Sequence, residues 1–145
     1  MPIDVTFYQL DDADITAAVT PLIVGFYRAR KPVALICDTK SQAEHWDEHL
    51  WQQPNDAFIA HNLRGEGPSS GAPVTLLWPP VSEAKTVMIN LSSEQLNLPR
   101  TTQHIIEFVP TDDAAKQAAR EKYKAYQAAG CTMQFKQISK ESNNG

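Results

Sequence analysis

Five consecutive apolar residues, Val33-Ala34-Leu35-Ile36-Cys37, follow Pro32 and stop just before a polar capping sequence, Thr39-Lys40-Ser41-Gln42. A run that short and that uniformly apolar has no solvent side, so it reads as a strand covered on both faces. Such a strand requires helices packed on it, and the neighbouring segments supply them. On the N-terminal side Ile15, Val19, Leu22, Ile23, Phe26 and Tyr27 recur at helical spacing. Pro21 must either kink that helix or restart it behind Thr20 as N-cap. On the C-terminal side the capping box leads into a helix that ends near Leu50-Trp51, ahead of Pro54.

The remaining chain repeats this alternation. Residues 3–10 are β-rich with Val5 and Phe7 on one face, and 74–78, 86–91 and 105–109 also read as strands. Residues 58–73 hold the Gly/Pro/Ser-rich stretch Gly65-Glu66-Gly67-Pro68-Ser69-Ser70-Gly71 and read as a surface loop. A helix is predicted over 112–129, with Thr111 as N-cap, Asp112 and Asp113 at its positive end and Gly130 as the stop. Residues 131–138 can add an edge strand, and the polar tail over 139–145 is expected to fray. Strands alternating with helices favour a sheet layered by helices. A length of 145 residues with no internal linker suits one domain over 1–145.

A net charge of -4 and a pI near 5.5 argue against coating nucleic acid through bulk electrostatics, so any basic site must be local. No apolar run approaches the ~20 residues that cross a bilayer, and the start lacks the regions of a signal peptide, which predicts a cytoplasmic protein. Cys37 and Cys131 sit in apolar stretches without ligand-like spacing and are expected to be buried thiols.

Chemistry is hard to find. The glycine-rich loop lacks a Gly-Lys-Ser/Thr ending and does not lead from a strand into a helix, so it fails as a phosphate cradle. His45 and His49 lie one helical turn apart but without the HExxH arrangement, and surface helix positions explain them better. His61 has no companion nucleophile and is better read as ordering its loop by a hydrogen bond. No metal, cofactor or catalytic residue is expected. Trp51 and Phe58 bracket a short polar loop, where either ring could be core or an exposed anchor for a partner.

The last helix stands apart. Lys116, Arg120 and Lys124 fall at i, i+4 and i+8 with Tyr123 beside them, so one face gathers three cations and an aromatic ring. Such a stripe is either a solvated face or a cradle for an acidic peptide with an aromatic end.

The run Leu50-Trp51-Gln52-Gln53-Pro54 to Phe58, continuing through His61-Asn62-Leu63-Arg64-Gly65-Glu66-Gly67-Pro68 and Gly71-Ala72-Pro73-Val74 to Trp78, resembles the chi-subunit family of bacterial DNA polymerase III. Thr6-Phe7-Tyr8, Phe108-Val109-Pro110, Lys116-Gln117, Ala119-Arg120-Glu121-Lys122-Tyr123-Lys124-Ala125-Tyr126 and Ala129-Gly130 extend the resemblance over nearly the whole chain. It implies a Rossmann-like three-layer α/β/α domain with a mixed, largely parallel sheet and no nucleotide. It implies a subunit without polymerase activity that joins the clamp loader through the psi subunit. The same subunit would grip the acidic, Pro-Phe-ended tail of single-stranded-DNA-binding protein. The tail-binding residues carry over to Val109, Lys116, Arg120, Tyr123 and Lys124. The aromatics facing psi, or an XPD-like repair helicase, carry over to Trp51 and Phe58. The segment after Gly130 diverges from the family pattern. Two rival readings stand beside this one: direct binding of single-stranded DNA through Lys116, Arg120, Lys122, Lys124 and Tyr123, and a nucleotide-binding enzyme acting at the strand ends.

Overall fold

Along the chain the elements are β1 (Asp4–Gln9), α1 (Ile15–Arg28), β2 (Val33–Ile36), α2 (Lys40–Trp51), β3 (His61–Leu63), β4 (Val74–Leu77), β5 (Val87–Asn90), β6 (His104–Val109), α3 (Asp113–Ala128) and β7 (Thr132–Gln137). They come from a computed structural model that describes residues 3–10, 15–52, 61–63, 73–79, 85–92 and 102–137. The strands form one sheet in the order β3-β4-β2-β5-β6-β1-β7. The sheet is more uniform than a mixed one, because every pairing among the described residues is parallel.

The apolar run at 33–36 lies near the middle of this sheet, buried at every position. Its side chains divide between two cores by strand alternation. Val33 and Leu35 join Val19 and Ile23 of α1 and Ala43, Trp46 and Leu50 of α2 on one face. Ala34 and Ile36 join Ala119 and Tyr126 of α3 on the other. Helices therefore cover both faces, as the uninterrupted apolar pattern requires. Each large side chain sealed in this way contributes about 1.5–3 kcal/mol relative to exposure.

Pro21 neither restarts nor ends α1, which runs through it as one helix. Thr20, the alternative N-cap, instead lies 3.2 Å through its hydroxyl from Nε2 of His49 and ties α1 to α2. At the end of α1 Arg30 takes a left-handed φ of 61°, and Lys31 N–H donates to the carbonyl of Phe26 at 3.0 Å. The chain turns there straight into β2.

The capping box at α2 closes with a one-residue offset. Gln42 N–H donates to Thr39 Oγ1 at 3.2 Å, and Asp38 N–H donates to Gln42 Oε1 at 2.9 Å. In α3 the cap is Asp112 rather than Thr111: its carboxylate accepts from Ala115 N–H at 2.9 Å, a charge-assisted bond that outcompetes a hydroxyl at the neighbouring position. Gly130 at φ 92° ends that helix and releases the chain into β7.

The loop expected over 58–73 contains a short edge strand, β3, paired with β4. Three residues without alternation leave no periodic signal to read. Phe58, the glycine-rich stretch at 65–71 and the tail over 139–145 lie outside the described residues.

Candidate functional site

Four elements converge on one side of α3 to form a groove of about 330 Å³. β1 contributes Phe7 and Gln9, β6 contributes Val109, β7 contributes Phe135, and α3 contributes Lys116, Ala119, Arg120 and Tyr123. Ala119 is buried where the helix meets the sheet and lines the groove together with Val109. Phe7 forms the floor, with its ring centroid 5.2 Å from that of Tyr123 and 6.2 Å from that of Tyr126. Gln9 is held in place by donating its side-chain amide to the carbonyls of Leu10 and Val109 at 3.0 and 3.1 Å.

Val109, Lys116, Arg120 and Tyr123, singled out from sequence, thus meet in one concavity. Lys124 does not line it and stands exposed one turn further on. Among the described residues neither Lys116 nor Arg120 enters an ion pair. Among the described lining residues none is acidic, so two cations stand there beside apolar and aromatic walls.

Lys122 has a different fate. It turns inward, 3.1 Å from Glu107 Oε1 and donating to the Ser92 carbonyl at 2.8 Å, with its side chain only 14% exposed. Glu107 itself is buried in β6, where its Oε2 accepts from Tyr126 Oη and Asn90 Nδ2, both at 2.7 Å. Burial pushes its carboxyl above the ordinary carboxylate range, against the opposing pull of Lys122 and the bonds from Asn90 and Tyr126. The network clamps α3 at two points, Lys122 and Tyr126, and so fixes the rotation that turns Lys116, Arg120 and Tyr123 toward the groove. Sequence reading missed Glu107, since one carboxylate inside an apolar strand is the only signal it leaves.

A second concavity of about 280 Å³ opens at the C-terminal ends of β2, β5 and β6, where doubly wound folds hold ligands. Asp38 and Glu107 line it along with Asn90, Ser92 and Lys122. Two carboxylates and a lysine already committed to one of them make poor surroundings for a polyphosphate.

Trp51 is an exposed ring at the end of α2, 57% accessible, with its centroid 4.7 Å from that of His61. His61 is buried, and its Nε2 lies 3.2 Å from Asp47 Oδ1 and 3.1 Å from the Asp47 carbonyl. The histidine expected to order a loop instead ties β3 to α2 and supports the tryptophan from beneath. The partner carboxylate was invisible in sequence because 14 residues separate the two.

His49 also departs from a plain surface role, being half-buried between Thr20 and an edge-on contact with Trp46. Among the described residues no cluster of His, Cys, Asp or Glu could hold a metal, and no helix is long and apolar enough to cross a membrane. Both cysteines are free thiols. Cys37 is buried, which together with Asp38 pushes its thiol up to about 12; Cys131 is only partly covered because β7 is an edge strand.

Fold and site together define a parallel α/β domain with helices on both faces of its sheet and an open groove beside its last helix. A family model described as the DNA polymerase III chi subunit, HolC, matches residues 3–134. DNA polymerase III subunit chi of Escherichia coli is 39% identical over 134 residues, covering 86% of this chain and 91% of that protein. The corresponding subunit of Haemophilus influenzae is 33% identical over 119 residues, 81% of this chain and 83% of that protein. That of Pseudomonas aeruginosa is 31% identical over 134 residues, 90% and 93% of the two chains. The chain belongs to the DNA polymerase III chi subunit family.

Proposed function

We propose that this chain is a non-catalytic, cytoplasmic accessory subunit of the DNA polymerase III clamp-loader assembly. It links the psi subunit to the acidic C-terminal tail of single-stranded-DNA-binding protein. The observation that carries this reading is the meeting of Lys116 and Arg120, free of internal ion pairs among the described residues, with an aromatic-floored groove. Arg120 holds the terminal carboxylate of the tail through its planar fork of donors. Lys116 attracts acidic side chains, Lys124 adds longer-range attraction from outside, and Tyr123 with Val109 shelters the terminal ring.

Burying a phenylalanine side chain contributes about 1.5–3 kcal/mol, and exposed ion pairs add about 0.2–1 kcal/mol each. Those magnitudes sum to less than the about -8.2 kcal/mol of a micromolar contact and suit weak, exchangeable binding. The inward turn of Lys122 weighs against the single-stranded-DNA alternative, because it removes one cation from the stripe that would follow a phosphate backbone.

Trp51, together with Phe58, faces psi or an XPD-like repair helicase; the wide exposure of Trp51 supports that assignment. Trp51→Ala is expected to abolish co-purification of psi with little change in thermal midpoint, and undiminished co-purification would remove Trp51 from the interface. The groove is tested by titrating an acidic, Pro-Phe-ended peptide into wild type and Arg120→Ala. Equal affinities would end the groove reading, and tighter binding of a bare oligonucleotide than of the peptide would favour the DNA alternative.

A further inference from the structure

Phe135 is 59% exposed, yet it stands on a strand that anchors it firmly. The register of β7 on β1 sets Phe135 opposite Phe7 and Met133 opposite Val5, so both β7 side chains share the face that α3 covers. Met133 packs against the core of that face, while Phe135, two residues on, reaches the groove. Phe7, Tyr123 and Phe135 therefore bring rings from three different elements to the concavity that Lys116 and Arg120 charge.

A phenylalanine left this open forgoes burial free energy that an occupant of the groove would recover. An aromatic occupant gains more than an aliphatic one, because ring pairs at 4.5–7 Å centroid separation attract beyond the area they bury. Lys116 and Arg120, with no acidic side chain beside them among the described lining residues, favour an anionic occupant.

We propose that Phe135 makes the groove selective for an aromatic terminal side chain by closing over the ligand's last ring from the side opposite Tyr123. This inference rests on reading the groove as the site of an acidic peptide whose end carboxylate meets Arg120. Phe135 is not among the pocket residues carried over from the family, and the divergence after Gly130 left contacts from this strand open; parallel pairing of β7 with β1 brings it there.

The test uses two acidic peptides identical except for a terminal Phe or Leu, titrated by fluorescence anisotropy into wild type, Phe135→Ala, Phe135→Leu and Arg120→Ala. Wild type is expected to favour the Phe-ended peptide by about three- to tenfold. Phe135→Ala and Phe135→Leu should bring that ratio close to one, while Arg120→Ala weakens both peptides and keeps the ratio. A wild-type preference that survives in both Phe135 variants overturns the role of Phe135 and leaves the groove reading standing. Failure of wild type to bind the Phe-ended peptide overturns both together.

Discussion

The two concavities beside α3 are built from the same helix but handle charge in opposite ways. In the crevice at the ends of β5 and β6, Lys122 is matched by Glu107, and the carboxylate is matched again by Tyr126 and Asn90. In the groove beside β1 and β7, Lys116 and Arg120 have no carboxylate among the described residues that line the space with them. The first arrangement satisfies its polar groups internally and holds the helix; the second leaves its donors for something else. Cations two to six residues apart on one helix thus do unrelated work, and the rotation of that helix decides which is which.

The comparison breaks most severely at Glu107. Glu107→Ala leaves Lys122 and Tyr126 facing an empty, buried space and is expected to cost about 3–5 kcal/mol of stability, as when one partner of a buried ion pair is removed. Chemical denaturation measures it, and a loss under 1 kcal/mol would mean that the network does not clamp α3.

Arg120→Ala should do the reverse, leaving the denaturation midpoint nearly unchanged while weakening the acidic peptide about tenfold, or about 1.4 kcal/mol. Added salt should act in the same direction, since the groove is open to solvent. A large fall in stability with unchanged binding would exchange the roles assigned to the two concavities.

A smaller effect separates scaffold from groove by pH. His104 lies on the opposite sheet face, with Nε2 2.8 Å from the Thr6 hydroxyl and its ring edge-on to Phe26. Burial holds its pKa below the ordinary 6.5, with Lys31 and Lys136 adding to the effect and Asp4 opposing it. The unfolded chain then takes up that proton first, so this contribution to stability is full above pH ~6.5 and is lost as pH falls through the lowered native value. Thermal midpoints compared at pH 7.5 and 5.5 should differ less in His104→Gln than in wild type. Peptide binding should not follow that difference, because no histidine is among the described residues that line the groove.

The smallest effect concerns Arg30, the non-glycine residue held at φ 61°. Arg30→Gly relieves a left-handed conformation and is expected to add about 1 kcal/mol or less, visible as a slightly higher midpoint with binding untouched.

Much of the scaffold was legible in advance for reasons that these residues make plain. The run at 33–36 has the pattern expected of a doubly covered strand, and the spacing from Ile15 to Tyr27 is that of a helix with one apolar face. Gly130 marked the end of α3 because a left-handed residue is needed there. The cap slipped by one residue because Thr111 and Asp112 both qualify and only local geometry chooses. β3 was lost because three residues carry no period, and its pairing with β4 depends on a distant partner. In the site, helical spacing anticipated the meeting of Lys116, Arg120 and Tyr123. It placed Lys124 on the same stripe, whereas the groove excludes it.

Spacing along the chain determined which residues share a face, since alternation and helical pitch are local properties of the backbone. Contacts across the sheet were decided by the fold alone. Parallel pairing of β7 with β1 brought Phe135 to Phe7, the packing of α3 on β6 gave Lys122 to Glu107, and β3 beside α2 gave Asp47 to His61. Each joins residues far apart in sequence, and partners at that range are chosen by strand order and register, which no local pattern encodes.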